Sequence, residues 1–339
     1  MAKRNGGTIT LQKEIRILSN AAAVGKKEGE GPLKNEFDLV FEDDRLGHES
    51  WEKAESELLS MAVKKALSNA NTEKSEIDAI FSGDLLDQCI GSSFSMRGFA
   101  RPFCGLYGAC STMALSLCMA SLAIETGGFQ KCVAATCSHF CSAERQFRFP
   151  LEYGGQRTPT AQWTVTGAGA ALLTESENKN LPRIERLHIG TICDLGITDA
   201  NNMGAAMAPA AKKTVSDFLN DTGTAPEDYD LILTGDLGQV GSELLRELML
   251  KEEGIDIAPV HNDCGLLIFD RKKQDVHAGG SGCGCSASVL CSYILNRIRN
   301  GMLKNVLFVA TGALMSPTSS LQGESIPGIA HAVLISGQQ

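Results

Sequence analysis

The sequence predicts an α/β protein made of two copies of one half, with uncharged helices buried between sheets. Three observations carry this: an ordered internal repeat, short apolar runs that do not alternate, and two helical stretches without a polar face. Asp78-Ala-Ile-Phe-Ser-Gly-Asp84-Leu85 returns as Asp230-Leu-Ile-Leu-Thr-Gly-Asp236-Leu237, and Gly108-Ala-Cys110-Ser111 returns as Cys283-Gly-Cys285-Ser286. Val133-Ala-Ala-Thr136 matches Phe308-Val-Ala-Thr311, and Gly167-Ala-Gly-Ala-Ala-Leu-Leu173 matches Gly328-Ile-Ala-His-Ala-Val-Leu334. Chance produces one such match, hardly four in the same order.

Each copy begins with a helical segment, Met61–Leu67 in the first and Ala211–Leu219 in the second, and continues into the Gly-Asp strand. A small-residue loop follows, then a helix, a strand and a final strand. The strand runs lack alternation, as expected of strands covered on both faces. Helices 111–126 and 286–300 are expected to lie inside the molecule, where nothing on them meets water. Gly127-Gly128 and Asn300-Gly301 supply their stops. The polar stretch 175–182 links the halves, which divide as 1–177 and 178–339.

The bulk numbers agree. The 339 residues are 43% hydrophobic and 21% charged, ample for a core and unlike a disordered chain. A formal charge of −9 disfavours nucleic acid as the main partner. No apolar core with a cleavage site follows the basic start, so the twelve cysteines are read as mostly inert thiols in a reducing compartment. The uncharged stretches Pro102–Ile124 and Ala278–Asn296 are long enough to span a bilayer. Their glycines and serines favour loop plus buried helix.

Several residues are candidates for chemistry. Cys110 opens the helix at Ser111, where unpaired backbone N–H groups and the dipole favour a thiolate; the plainer reading is a small buried side chain. Asp84 and Asp236 end equivalent strands, where carboxylates point into a ligand crevice or simply cap turns. His139 follows the strand Val133–Thr136, and the next loop carries Arg145 and Arg148, suited to a carboxylate or to surface ion pairs. His261-Asn-Asp263-Cys264 and Cys283-Gly-Cys285 resemble metal-ligand material but lack a second cluster at a recognised spacing, so no metal is expected. No nucleotide loop is present.

Gly108-Ala-Cys110-Ser111-Thr112 at the head of a buried helix, in a duplicated chain, resembles the thiolase and ketoacyl-synthase superfamily. That resemblance implies a thiolase-like duplicated five-layer α-β-α-β-α fold, Cys110 at the nucleophile position, and a homodimer. Ala143-Glu-Arg-Gln-Phe-Arg, Leu151-Glu-Tyr-Gly-Gly, Thr164-Val-Thr-Gly-Ala-Gly, Asp194-Leu-Gly-Ile-Thr-Asp and Ala310-Thr-Gly-Ala-Leu-Met-Ser-Pro are similar to the stage V sporulation protein AD family. Met207-Ala-Pro-Ala-Ala and His261-Asn-Asp-Cys-Gly extend the likeness, which runs from about residue 11 to 335. It implies dipicolinic acid binding and delivery of dipicolinate into the developing spore, beside membrane-embedded partners of the same operon. The implied location is peripheral, at the forespore or spore inner membrane. No cofactor is implied; calcium is an admissible companion of the ligand.

Departures from active thiolases are equally informative. Gly235-Asp236 stands where condensing enzymes of the three-residue type carry histidine, and Ala310-Thr-Gly-Ala-Leu-Met lacks a second cysteine. A nucleophile without a base loses orders of magnitude in rate. The pocket is therefore expected to bind rather than react. The helix head at Cys110 and Ser111 offers backbone donors, and Arg145, His139 and Thr166 offer side-chain donors. Asp84 and Asp236 would meet the dianion through water or a cation. An active Cys110 acyltransferase and a pure scaffold with a vestigial pocket stay open as alternatives.

Overall fold

The computed structural model describes residues 2–147 and 157–338. Arg148 and the Leu151-Glu-Tyr-Gly-Gly motif lie outside the described residues. The first half runs β1 (Ile15–Val24), α1 (Trp51–Asn69), β2 (Ala79–Gly83), β3 (Phe103–Gly105), α2 (Thr112–Glu125), β4 (Lys131–Ser138), α3 (Phe140–Phe147) and β5 (Gly167–Glu175). The second runs β6 (Arg183–His188), α4 (Met203–Thr222), β7 (Leu231–Thr234), α5 (Gly238–Glu253), β8 (His261–Asp263), α6 (Cys283–Val289), β9 (Asn305–Ala313) and β10 (Gly328–Ser336).

The duplication read from the sequence reappears in the strand order. The first half reads β1-β5-β4-β2-β3 and the second β6-β10-β9-β7-β8. Pairing senses correspond: β2 is parallel to β3 and β4, as β7 is to β8 and β9. β5 is antiparallel to β4 and β1, as β10 is to β9 and β6. The half-sheets touch where Arg183 pairs with Arg16.

α2 and α6 lie between these half-sheets. α2 packs on β2 and β4 of its own half and on β9 and β10 of the other, while α6 packs on β1, β4 and β5. Met113, Ala114, Leu117, Cys118, Ala120 and Ile124 of α2 are all fully buried. α1 covers the outer face of the first half-sheet, and α4 that of the second, giving the five layers. No helix among the described residues is long and apolar enough to cross a membrane. All twelve cysteines are unpaired.

One expectation needs correction. The second central helix starts at Cys283, not 286, so Cys283-Gly-Cys285 is helical rather than a loop. It then continues through a π turn, Leu290–Ile294, into Leu295–Arg299. The cause is close approach: Gly284 lies so near β4 and β5 that a Cβ there would sit 2.4 Å from the Gly167 carbonyl oxygen. What reads as flexible glycine is a helix needing a bare backbone. Its serines bond inward too, Ser288 donating to the Gly284 carbonyl and Ser292 to that of Ser288, both at 2.6 Å. A helix whose hydroxyls serve its own carbonyls needs no polar face.

Candidate functional site

Cys110 sits between the halves, after a strained turn in which Ala109 has φ +49°. The turn is held by α2's first hydroxyls: Ser111 Oγ donates to the Gly108 carbonyl and Thr112 Oγ1 to that of Ala109, both at 2.6 Å. Ser111 is thus committed to the turn and fully buried. Its backbone N–H donates to the same Gly108 carbonyl at 3.0 Å, and Ser111 does not line the cavity, so its expected role toward a ligand is not met.

The thiolate expectation for Cys110 is overturned. Burial pushes its thiol well up, and the charge of Asp236 beside it adds to the shift. A helix terminus is worth about 0.3–1 kcal/mol, whereas full desolvation moves a pKa by several units. The thiol stays protonated and donates to Asp236. Asp236 also accepts from Gly282 N–H at 2.8 Å, Thr311 Oγ1 at 3.0 Å and Ser281 Oγ at 3.4 Å. Burial still raises its carboxyl to about 6.

Asp84, its repeat partner, behaves differently. It accepts from Leu86 N–H at 2.9 Å and Ser92 N–H at 2.6 Å, folding its own loop back onto itself. Burial raises its pKa against those bonds. Asp84 does not line the cavity at Cys110, although its neighbour Leu85 does. The turn-capping role of Asp84 is taken in the second half by Asp263, which accepts from Leu237 N–H and Gly238 N–H.

Two of the three expected side-chain donors are occupied elsewhere, and the third, Thr166, is off the cavity. His139 is fully buried; Nδ1 accepts from Cys141 N–H at 3.1 Å, so Nε2 donates to the Asp44 carbonyl at 2.8 Å. Thr166 Oγ1 receives Phe140 N–H at 3.1 Å. Arg145 is half exposed and ion-paired with Glu52 of α1. None of the three lines the cavity, which is about 30 Å³ in volume. His261 and Asp263 hold each other through Thr234, and no group of three possible metal ligands exists among the described residues.

The cavity wall instead brings in residues that the sequence left unmarked. Tyr107 comes from the first half, Glu144 and Phe147 from α3, Ser281, Met203 and Met315 from the second half. Met315 was within reach of the repeat: with Thr136 matched to Thr311, it falls at the position of Phe140, the residue after His139.

α3 is positioned by a buried acid. Glu55 of α1 is fully buried, and its Oε2 lies 2.5 Å from Ser142 Oγ on α3. Ser142 has one hydroxyl proton and also contacts the His139 carbonyl at 3.1 Å. Burial pushes Glu55 up to about 8 against the hydrogen bond from Ser142 Oγ, so at neutral pH the carboxyl holds its proton. The folded chain therefore binds a proton that the unfolded chain releases from about pH 4.5 upward. Stability from this group is full at low pH and lost as pH rises toward 8. Glu55→Gln, which keeps one donor and one acceptor, should melt above the parent at pH 8.5, with the difference shrinking towards pH 5. Equal differences at both pH values in thermal denaturation would refute a protonated Glu55.

A family model described as stage V sporulation protein AD matches residues 5–336. Stage V sporulation protein AD of Bacillus subtilis (strain 168) is 44% identical over 327 residues, 96% of each chain. Among solved structures, 3-oxoacyl-[acyl-carrier-protein] synthase III of Aquifex aeolicus VF5 is 14% identical with TM-score 0.56, covering 95% of this chain and 99% of that one. The cerulenin-bound OleA of Xanthomonas campestris is 15% identical with TM-score 0.61, covering 98% and 99%. The tetronic acid condensing enzyme AbyA1 is 17% identical with TM-score 0.60, covering 95% and 100%. At these identities the structural matches establish the fold, and the sequence matches establish the family. The chain belongs to the stage V sporulation protein AD family, on a thiolase-like fold.

Proposed function

We propose that this sporulation protein binds dipicolinate in the cavity beside Cys110 without acyl transfer. It supports delivery of the ligand into the developing spore, beside membrane-embedded proteins of the same operon. A homodimer held peripherally at the forespore membrane is part of this reading, which rests on family membership.

The observation that carries it is the state of Cys110. The thiol is desolvated, it donates to Asp236, and no imidazole is among the described residues lining the cavity. A nucleophile needs a base that can take its proton. Asp236 stays far more acidic than the buried thiol that faces it, so proton transfer to it is disfavoured. What remains is a small neutral wall beside the hydroxyls of Thr164 and Tyr107, suited to a carboxylate on a flat ring.

At about 30 Å³ the cavity has room for little more than a water, against roughly 300–1,000 Å³ for ligand pockets in general. Entry requires Phe147, Met203 and Met315 to turn aside, which unbranched methionines do at low cost. Calcium would be held through the ligand's own carboxylates.

Incubation with acetoacetyl-CoA and free CoA, or with acetyl-CoA alone, should give no turnover above that of Cys110→Ala. Sustained thiolysis or condensation that disappears in Cys110→Ala would favour an active acyltransferase instead.

A further inference from the structure

We infer that Lys27 and Arg157 form an oxyanion-binding site on Trp163, outside the Cys110 cavity, which takes a carboxylate or phosphate group. Trp163 precedes Thr164, whose side chain faces the cavity, so alternation along the strand turns the indole the other way. Phe140 stacks on one face of the indole, with centroids 3.8 Å apart and planes within 8°. Two cations also lie over the indole: Lys27 Nζ at 3.9 Å from the ring centroid and Arg157 Cζ at 4.7 Å.

Two like charges on one ring repel, and little here offsets them. Lys27 is in no ion pair among the described residues, and Glu28 beside it is buried and pushed up to about 8, hence neutral. Burial and then Arg157 lower the Lys27 pKa, while Asp275 acts the opposite way with less weight. Arg157 Nη2 is satisfied by the Asp275 carbonyl at 2.6 Å, with the Asp275 carboxylate 3.2 Å away but 78% exposed. Arg157 Nη1, in contrast, is buried and has no hydrogen-bond partner. An unsatisfied guanidinium N–H beside an unpaired ammonium is the donor set that an oxyanion completes. In a chain of net charge −9, such a pair, offset mainly by the exposed Asp275 carboxylate, is not a by-product of overall basicity.

The chain has two tryptophans, so Trp51→Phe leaves Trp163 as the reporter. Inorganic phosphate, titrated at constant ionic strength, should change its fluorescence saturably. Lys27→Gln and Arg157→Gln should each weaken that response at least about tenfold, as loss of a charged partner does. Lys26→Gln, whose side chain is 54% exposed and paired with Glu42, should leave it unchanged. Calorimetry with phosphate on the parent and on Lys27→Gln gives the same comparison should Trp51→Phe fold poorly. A second titration, with dipicolinate on a Cys110→Phe background, separates the sources: a Trp163 response there marks the site as a station for the carboxylate ligand, and its absence leaves phosphate as the natural group. A response that chloride reproduces, or that Lys27→Gln retains in full, overturns the site while leaving the Cys110 reading intact.

Discussion

Gly284→Ala is expected to lower stability by about 2–3 kcal/mol, although alanine is the better helix former by about 1 kcal/mol. The added Cβ would sit 2.4 Å from the Gly167 carbonyl oxygen, 2.5 Å from Ser138 Oγ and 2.8 Å from Ser138 N. The Gly167 oxygen and Ser138 N are backbone atoms of paired strands and cannot step aside without breaking a ladder. The contact is reciprocal, since a Cβ at Gly169 would meet the Ala287 carbonyl oxygen at 2.4 Å. Gly98→Ala, where a Cβ meets nothing within 4 Å, is the control and should shift stability by less than about 1 kcal/mol. Chemical denaturation of both variants decides. Equal small effects would mean that α6 is not pressed against β4 and β5.

Cys110→Phe should abolish dipicolinate binding in the cavity with the fold retained. The cavity is about 30 Å³ and Cys110 forms part of its wall, so a benzyl group fills what room there is. Overpacking costs about 1–3 kcal/mol, softened by the flexible Met203 and Met315 opposite. Cys110→Ala removes a thiol already committed to Asp236 and leaves the space, so binding should weaken by less than about tenfold. Circular dichroism checks the fold and calorimetry the binding. Undiminished binding in Cys110→Phe would place the ligand elsewhere.

The fold was legible because the duplication is written in residues that shape backbone. The Gly-Asp strand ends and the small-residue runs recur, and both half-sheets share one order. The start of α6 was not legible, because Cys283-Gly-Cys285 has the composition of a loop and its helicity depends on β4 and β5 behind it. The site was legible in its centre and not in its shell. Cys110 and Asp236 meet, whereas Asp84 carries the same Gly-Asp-Leu signature and is drawn away by Ser92 N–H eight residues on. His139 is tied up by the Asp44 carbonyl, 95 residues distant in the chain, a contact no local pattern announces. The thiolate reading of Cys110 weighed a helix dipole without knowing that burial and a carboxylate would outweigh it.

The most direct test of the account is calorimetric titration of the purified protein with dipicolinate, with and without calcium. Saturable binding in which at least one site per chain is lost in Cys110→Phe is the predicted result. No heat and no saturation in either condition would contradict it and leave the chain a scaffold with a vestigial pocket.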